Sequence, residues 1–241
     1  MCLQTGGLDV CCLVLGELMT NCYVLTTEAA PVTVAPPGVA AGGPAVAPVP
    51  PEKVCWIVDP GLSPGPLLKH LRDGGLSPER ILLTHGHADH IAGAAAVKQV
   101  CSAAVLICPA GDADMLCDAR ANLSLRFGFK ITAPPAEETI EPGVELHMGS
   151  LRWHVLDTAG HTPGGVSYYC PAAGVALTGD SLFAGSIGRT DIPGACEARL
   201  LEKIKTNLLA LPDDTCVLPG HGSASTIGRE RRSNPFLQRR I

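Results

Sequence analysis

An α/β fold, with sheets covered on their outer faces by helices, is the architecture this sequence predicts. Two observations carry it. Apolar runs of strand length occur in both halves of the chain, and each group of them is followed by a segment with helical spacing. The composition also suits one sizeable core, because 241 residues that are 46% hydrophobic and 17% charged lie well outside the disordered range. Aromatics make up only 4%, so that core has to be built chiefly from Leu, Val, Ile and Ala.

Taken in order, LDVCCLVLG and NCYVLTTE read as paired strands, and VCWIVDPG as a third that ends in a turn. PLLKHLRDGGL carries leucines at helical spacing and stops at a glycine pair, a helix-ending signal. RILLT then reads as a buried strand, IAGAAAVKQV as an alanine-rich helix, AAVLICP as a strand and 111–127 as helix. VELHMG, LRWHVLDT, GVSYYCP and GVALTGD read as strands, EARLLEKIKTNLLAL as a helix, and TCVLPGHG as a closing strand and turn. Residues 29–51, AAPVTVAPPGVAAGGPAVAPVPP, carry no charge, and their prolines fit neither a helix nor a central strand. They read as a loop inserted between two strands of a single domain spanning 1–241, a tolerated insertion in preference to a lid.

A formal net charge of -5 argues against nucleic-acid binding. The local exception is Arg229, Arg231, Arg232, Arg239 and Arg240, read as a solvated end in preference to an attractor for an anionic substrate. No apolar run reaches the roughly 18 residues of a membrane span, and the first residues lack a basic leader, so a cytoplasmic protein is expected. The eleven cysteines include no C-x-x-C pair and read as reduced, mostly buried small hydrophobes.

The chemistry concentrates in THGHADH, where His85, His87, Asp89 and His90 fall within six positions of a chain that has eight histidines in all. Small spacers at Gly86 and Ala88, between a strand and a helix, let these side chains turn to one side. Imidazole and carboxylate are suitable donors for zinc, iron or manganese. One turn supplies too few ligands, and partners appear in matching contexts: His161 in DTAGHTPGG, Asp180 in ALTGDSL and His221 in VLPGHGS each follow an apolar run and are flanked by glycine. Five histidines and two aspartates suit two cations that share a carboxylate. His70, His147 and His154 have no such context and read as surface or strand residues.

H-x-H-x-D-H followed by distant His, Asp and His at glycine-flanked strand ends resembles the metallo-β-lactamase superfamily from Asp59 to His221. GDSLFAGSIGRTDIPG and PGHGSASTIGRERRSNPFL are similar to its compact glyoxalase II-like hydrolases. The resemblance implies an αββα sandwich, two mixed sheets covered by helices, with a dinuclear site along one edge. It implies a first metal on His85, His87 and His161, a second on Asp89, His90 and His221, and Asp180 between them. Asp89 and Asp180 would then position a bridging hydroxide, between two divalent ions of which zinc is the first choice and iron or manganese the others. Asp59, Thr84 and Arg189 become candidates for orienting the ligands. Asp59 reads equally well as a turn former before Pro60, and Arg189 as one half of a structural pair with Asp191.

The activity so implied is hydrolysis of a small-molecule thioester such as S-lactoylglutathione. A thiolate, with a pKa near 8.5, leaves without a strong general acid. The C-terminal helical domain of full-length glyoxalase II has no counterpart within the roughly twenty residues after His221, which leaves the substrate less defined than the reaction. The alternative is a persulfide dioxygenase with a single iron on His85, His161 and Asp180. Lactone or phosphodiester hydrolysis and a non-catalytic metal-binding role rank lower, and a β-lactamase lower still.

Overall fold

A computed structural model describes residues 2–29 and 53–238. Strands β1 (Cys2–Thr5), β2 (Leu8–Leu15), β3 (Thr20–Glu28) and β4 (Lys53–Val58) pair antiparallel in chain order. β5 (Arg80–Leu82), β6 (Val105–Pro109) and β7 (Glu138–Ile140) continue the same sheet with parallel pairings, which makes seven strands. Parallel neighbours need crossovers. Helix α1 (Gly65–Asp73) supplies the first, and α2 (Ala88–Ile91) with α3 (Ala94–Val100) the second.

The second sheet has six strands in the order β15-β14-β11-β10-β9-β8. It contains β8 (Glu145–Met148), β9 (Leu151–Asp157), β10 (Val166–Cys170), β11 (Val175–Gly179), β14 (Cys216–Pro219) and β15 (Ser225–Thr226), with β11 and β14 parallel. Between β11 and β14 run a small hairpin of β12 (Leu182–Phe183) and β13 (Ser186–Ile187), then α4 (Glu197–Lys203). Helix α5 (Ile227–Ser233) closes the described chain.

Strand periodicity explains the layers. In β4 the alternate residues Val54, Trp56 and Val58 face the second sheet, while Cys55 and Ile57 face α1 and α3. Between the sheets Trp56 meets Trp153 with ring centroids 6.3 Å apart. Leu67, Leu71 and Val97 cover the outside of the first sheet, and Leu200, Ile204 and Ile227 cover the second. The order is helix, sheet, sheet, helix, as the resemblance implied. No described helix is long and apolar enough to cross a membrane.

Several local expectations need correction. Residues 111–127 are not one helix: two short 3-10 segments, Ala110–Leu116 and Ser124–Phe127, flank a turn in which Leu123 adopts a left-handed φ of 68°. Helix IAGAAAVKQV is broken, because Gly93 N–H donates to Pro60 O at 2.7 Å and pins the chain to the turn after β4. The first turn of that break, α2, carries Asp89 and His90 itself. The helix expected over EARLLEKIKTNLLAL is α-helical only to Lys203 and then widens into a π-helical stretch, Ile204–Leu208. Only Cys22, Cys55, Cys108 and Cys170 are fully buried, so "mostly buried" overstated the cysteines, although none of the eleven is in a disulfide. Apart from Ala29, which packs partly buried against the inter-sheet core, the loop expected over 29–51 lies outside the described residues, as do Arg239 and Arg240.

Candidate metal centre

Topology alone brings five strand ends to one edge. β4 and β5 are parallel, so the chain leaves both on the same side, at Asp59 and at Thr84-His85. β9 and β11 each pair antiparallel with β10, and β14 is parallel to β11, so these three also end together, leading to His161, Asp180 and His221. The two edges are stitched by a bridge between Thr20 and His221 and by Asn21 N–H donating to Gly220 O at 2.7 Å.

The seven ligand-type residues named from the sequence meet there. His85, His87 and His161 present nitrogens within 4.8 Å of one another, and Asp89, His90 and His221 form a second group with the same spread. His87 Nδ1 lies 2.9 Å from His161 Nε2, and His90 Nε2 lies 3.3 Å from His221 Nε2. Asp180 stands between the groups: Oδ2 is 3.6 Å from His161 Nε2 and 3.5 Å from His221 Nε2, and Oδ1 is 3.4 Å from His90 Nε2. His70 lies on α1, His147 is exposed and His154 is half-buried, none of them in either group.

The outer partners set which nitrogen of each ring is free. Asp59 Oδ1 accepts Thr84 N–H at 2.8 Å, and Oδ2 accepts the Thr84 hydroxyl at 2.7 Å and His90 Nδ1–H at 2.9 Å. With its proton given to Asp59, the Thr84 oxygen accepts from His85 Nδ1 at 3.0 Å. His161 Nδ1–H donates to Arg189 O at 2.8 Å. In His85, His90 and His161 the Nε2 lone pair is therefore turned inward. Asp59 is thus an orienting group as well as a turn residue, held at a left-handed φ of 52°. Arg189 reaches the centre only through its carbonyl. Its side chain points outward and makes a two-pronged pair with Asp191, both contacts at 2.9 Å.

These observations test whether the residues suit a cation. His85 Nε2 and Asp180 Oδ1 are buried and make no hydrogen bond. Such orphans are costly unless something else satisfies them. Two nitrogens bound at the usual distance to one tetrahedral zinc sit roughly 3.3 Å apart, close to the two His–His separations here. The electrostatics agree. Burial, then the neighbouring imidazoles, push His85 well below the usual histidine value; burial and His161 push His87 down to about 3. Both stay neutral and able to ligate. Burial works to raise Asp89 and Asp180, but the adjacent histidines, His90 first, outweigh it and hold both carboxylates below their usual range. Burial opposes the charged form of His90 and His221, and the surrounding carboxylates outweigh it, so both are raised. The donor set fits divalent cations.

Two glycines make room for this packing. An ideal Cβ on Gly220 would lie 2.2 Å from Asp180 Oδ1 and 2.7 Å from His90 Cε1, and one on Gly188 would strike Asp180 O and His161 Nδ1. Gly220→Ala is therefore expected to displace the shared carboxylate and lower bound metal below that of the parent protein. Elemental analysis after gel filtration checks it, and unchanged metal content would contradict the geometry.

Three contributors had no sequence signal that picked them out. Thr20 donates its hydroxyl to Asp89 Oδ2 at 3.0 Å. Asn21 donates to Pro219 O and Gly222 O, both at 2.9 Å, and so holds the turn that carries His221. Asp112 sits buried beneath the histidine-rich turn. Thr20 and Asn21 open an ordinary strand, and Asp112 sits in an unpatterned acidic stretch, GDAD. Only the register of β3 against the His221 turn could have exposed the first two.

Fold and site together define a metal-binding α/β protein of the hydrolase type. Residues 49–221 match the Metallo-beta-lactamase superfamily, and the chain belongs to that superfamily, among metallo-hydrolases. The Haemophilus influenzae protein named hydroxyacylglutathione hydrolase GloC is 39% identical over 189 residues, covering 77% of this chain and 88% of that one. The crystal structure of BLEG-1 B3 metallo-beta-lactamase is 35% identical, covers 95% of this chain and 99% of its own, and superposes with a TM-score of 0.81. That of TTHA1623 in a di-iron-bound form is 34% identical over 95% and 100%, with a TM-score of 0.75.

Proposed function

We propose that this protein is a dinuclear metal-dependent thioesterase that hydrolyses a small acyl thioester such as S-lactoylglutathione. One observation carries the reading: two ligand clusters lie side by side with Asp180 reaching both. The GloC relative, by its name a hydroxyacylglutathione hydrolase, supports the substrate class. His85, His87 and His161 hold one cation and Asp89, His90 and His221 the other, with zinc preferred and iron or manganese accepted by the same donors. A cation pair supplies, when bound, an acidified water for attack and a Lewis acid for the carbonyl.

The chain's own part is orientation. Asp59 and Thr84 fix the rings of His90 and His85, the Arg189 carbonyl fixes His161, and Thr20 steadies Asp89. Two nearby phenols are committed elsewhere: Tyr23 donates to Pro219 O and Tyr168 to Leu83 O, each at 2.7 Å. Neither is free to protonate a leaving group. That suits a thiolate, which departs unprotonated, better than an amine. The partner is a small molecule, and the net charge of -5 gives no footprint for nucleic acid. Eleven cysteines outside any disulfide fit the cytoplasm.

The test is thiol release from S-lactoylglutathione and simpler acyl thioesters by metal-loaded protein. A β-lactam and a glutathione persulfide with oxygen measurement run alongside. Thiol release that a chelator abolishes is expected. Oxygen uptake or β-lactam opening without thiol release would overturn the assignment.

A further inference from the structure

Asp112 is buried at 1% exposure, yet its partners are neutral hydrogen-bond donors and not a cation. Its Oδ2 accepts Gly86 N–H at 3.0 Å, and its Oδ1 accepts Gly164 N–H at 2.7 Å. Gly86 lies between His85 and His87, and Gly164 lies three residues beyond His161. One carboxylate therefore ties together the two loops that present the three-histidine cluster. The surrounding backbone is built for it. An ideal Cβ on Gly111 would come within 2.7 Å of Gly164 Cα, and one on Gly86 within 2.8 Å of Met115 Cβ, so the 3-10 segment Ala110–Leu116 docks directly on both loops.

The other cluster is braced by different groups: Asp59 on His90, Thr20 on Asp89, and Asn21 on the turn before His221. Asp59 also reaches His85 through Thr84, so it serves both halves, whereas Asp112 bonds only the backbone beside His85 and His87 and the loop beyond His161. We propose that Asp112 is a positioning residue for the His85–His87–His161 cluster, setting the gap between its two loops and so the occupancy of that cation position and not of its neighbour. The inference rests on the dinuclear reading above.

A carboxylate accepts from both amides at once. In Asp112→Asn the single carbonyl oxygen serves one amide, and the new NH2 group faces the other, donor against donor. The loops are then no longer held at the separation that leaves His87 Nδ1 2.9 Å from His161 Nε2. Loss of an outer support of this kind weakens a metal site about 10- to 100-fold.

The experiment is a cobalt(II) titration of metal-stripped protein, followed by visible absorption and by metal retained after dialysis. The parent protein is expected to hold two equivalents. Asp112→Asn should keep one at parental affinity and bind the other about 10- to 100-fold more weakly, with the cobalt spectrum of the three-histidine position selectively lost. Leu116→Ala, a cavity on the same segment that touches neither loop amide, controls for general destabilisation and should keep both. The proposal fails if Asp112→Asn binds two equivalents as tightly as the parent, or if Leu116→Ala loses metal in the same way. A parent that binds fewer than two would instead remove the dinuclear reading, and the inference with it.

Discussion

Asp180→Asn should leave the fold intact and abolish most turnover, lowering kcat/KM by at least about 10³-fold. Asparagine matches aspartate in shape, so the close packing against Gly188 and Gly220 survives. The charge does not. Among the described residues Asp180 is the one carboxylate within 3.6 Å of His161, His90 and His221, and it is the link between the two clusters. An amide offers one weak acceptor where an anion spans both positions, so bound metal should fall together with activity. The loss should exceed the about 10- to 100-fold that follows removal of an outer support such as Asp59. Parallel kinetics and metal analysis check it. Activity within tenfold of the parent would exclude a shared carboxylate from the reaction.

Metal removal should have the second large effect. A ligand present at a thousand times its Kd stabilises a protein by about 4 kcal/mol per site. At this chain length each kcal/mol moves Tm by about 2–4 °C, so chelation should lower Tm by about 10 °C or more. The pH dependence has a definite sign. His90 and His221 are raised by neighbouring carboxylates, so in the metal-free protein their stabilising contribution is complete below pH 6.5 and fades as pH rises through the raised values. Cations must displace those protons, so binding is tightest above the same values. The Tm difference between loaded and stripped protein should therefore narrow from pH 8 to pH 6.5. A gap that widens toward acid would mean these histidines are not ligands.

The legible part of the site was dense or repeated. THGHADH announced itself because three of eight histidines share one turn, and His161, Asp180 and His221 because each follows an apolar run beside glycine. Strands such as β4 and β11 were legible for a related reason: they are nearly wholly buried and read as continuous apolar runs. β1, β7, β12, β13 and β15 escaped, since two to four residues are too few to show a period. Segment 111–127 misled because helix-forming residues there answer to the docking of Asp112 and Gly111 on distant loops and not to their own propensity.

Ligand chemistry and layer order could thus be read along the chain, since donor type is a property of the side chain and burial period a property of the local run. Orienting the rings of His85, His90 and His161 through Thr84, Asp59 and the Arg189 carbonyl was decided only in three dimensions, as was the choice between the two readings of Arg189, whose guanidinium turns to Asp191. The contacts of Asp59 with Thr84 and of His90 with His221 join residues 25 and 131 positions apart, and that of His161 depends on where a backbone carbonyl points; no local pattern encodes either.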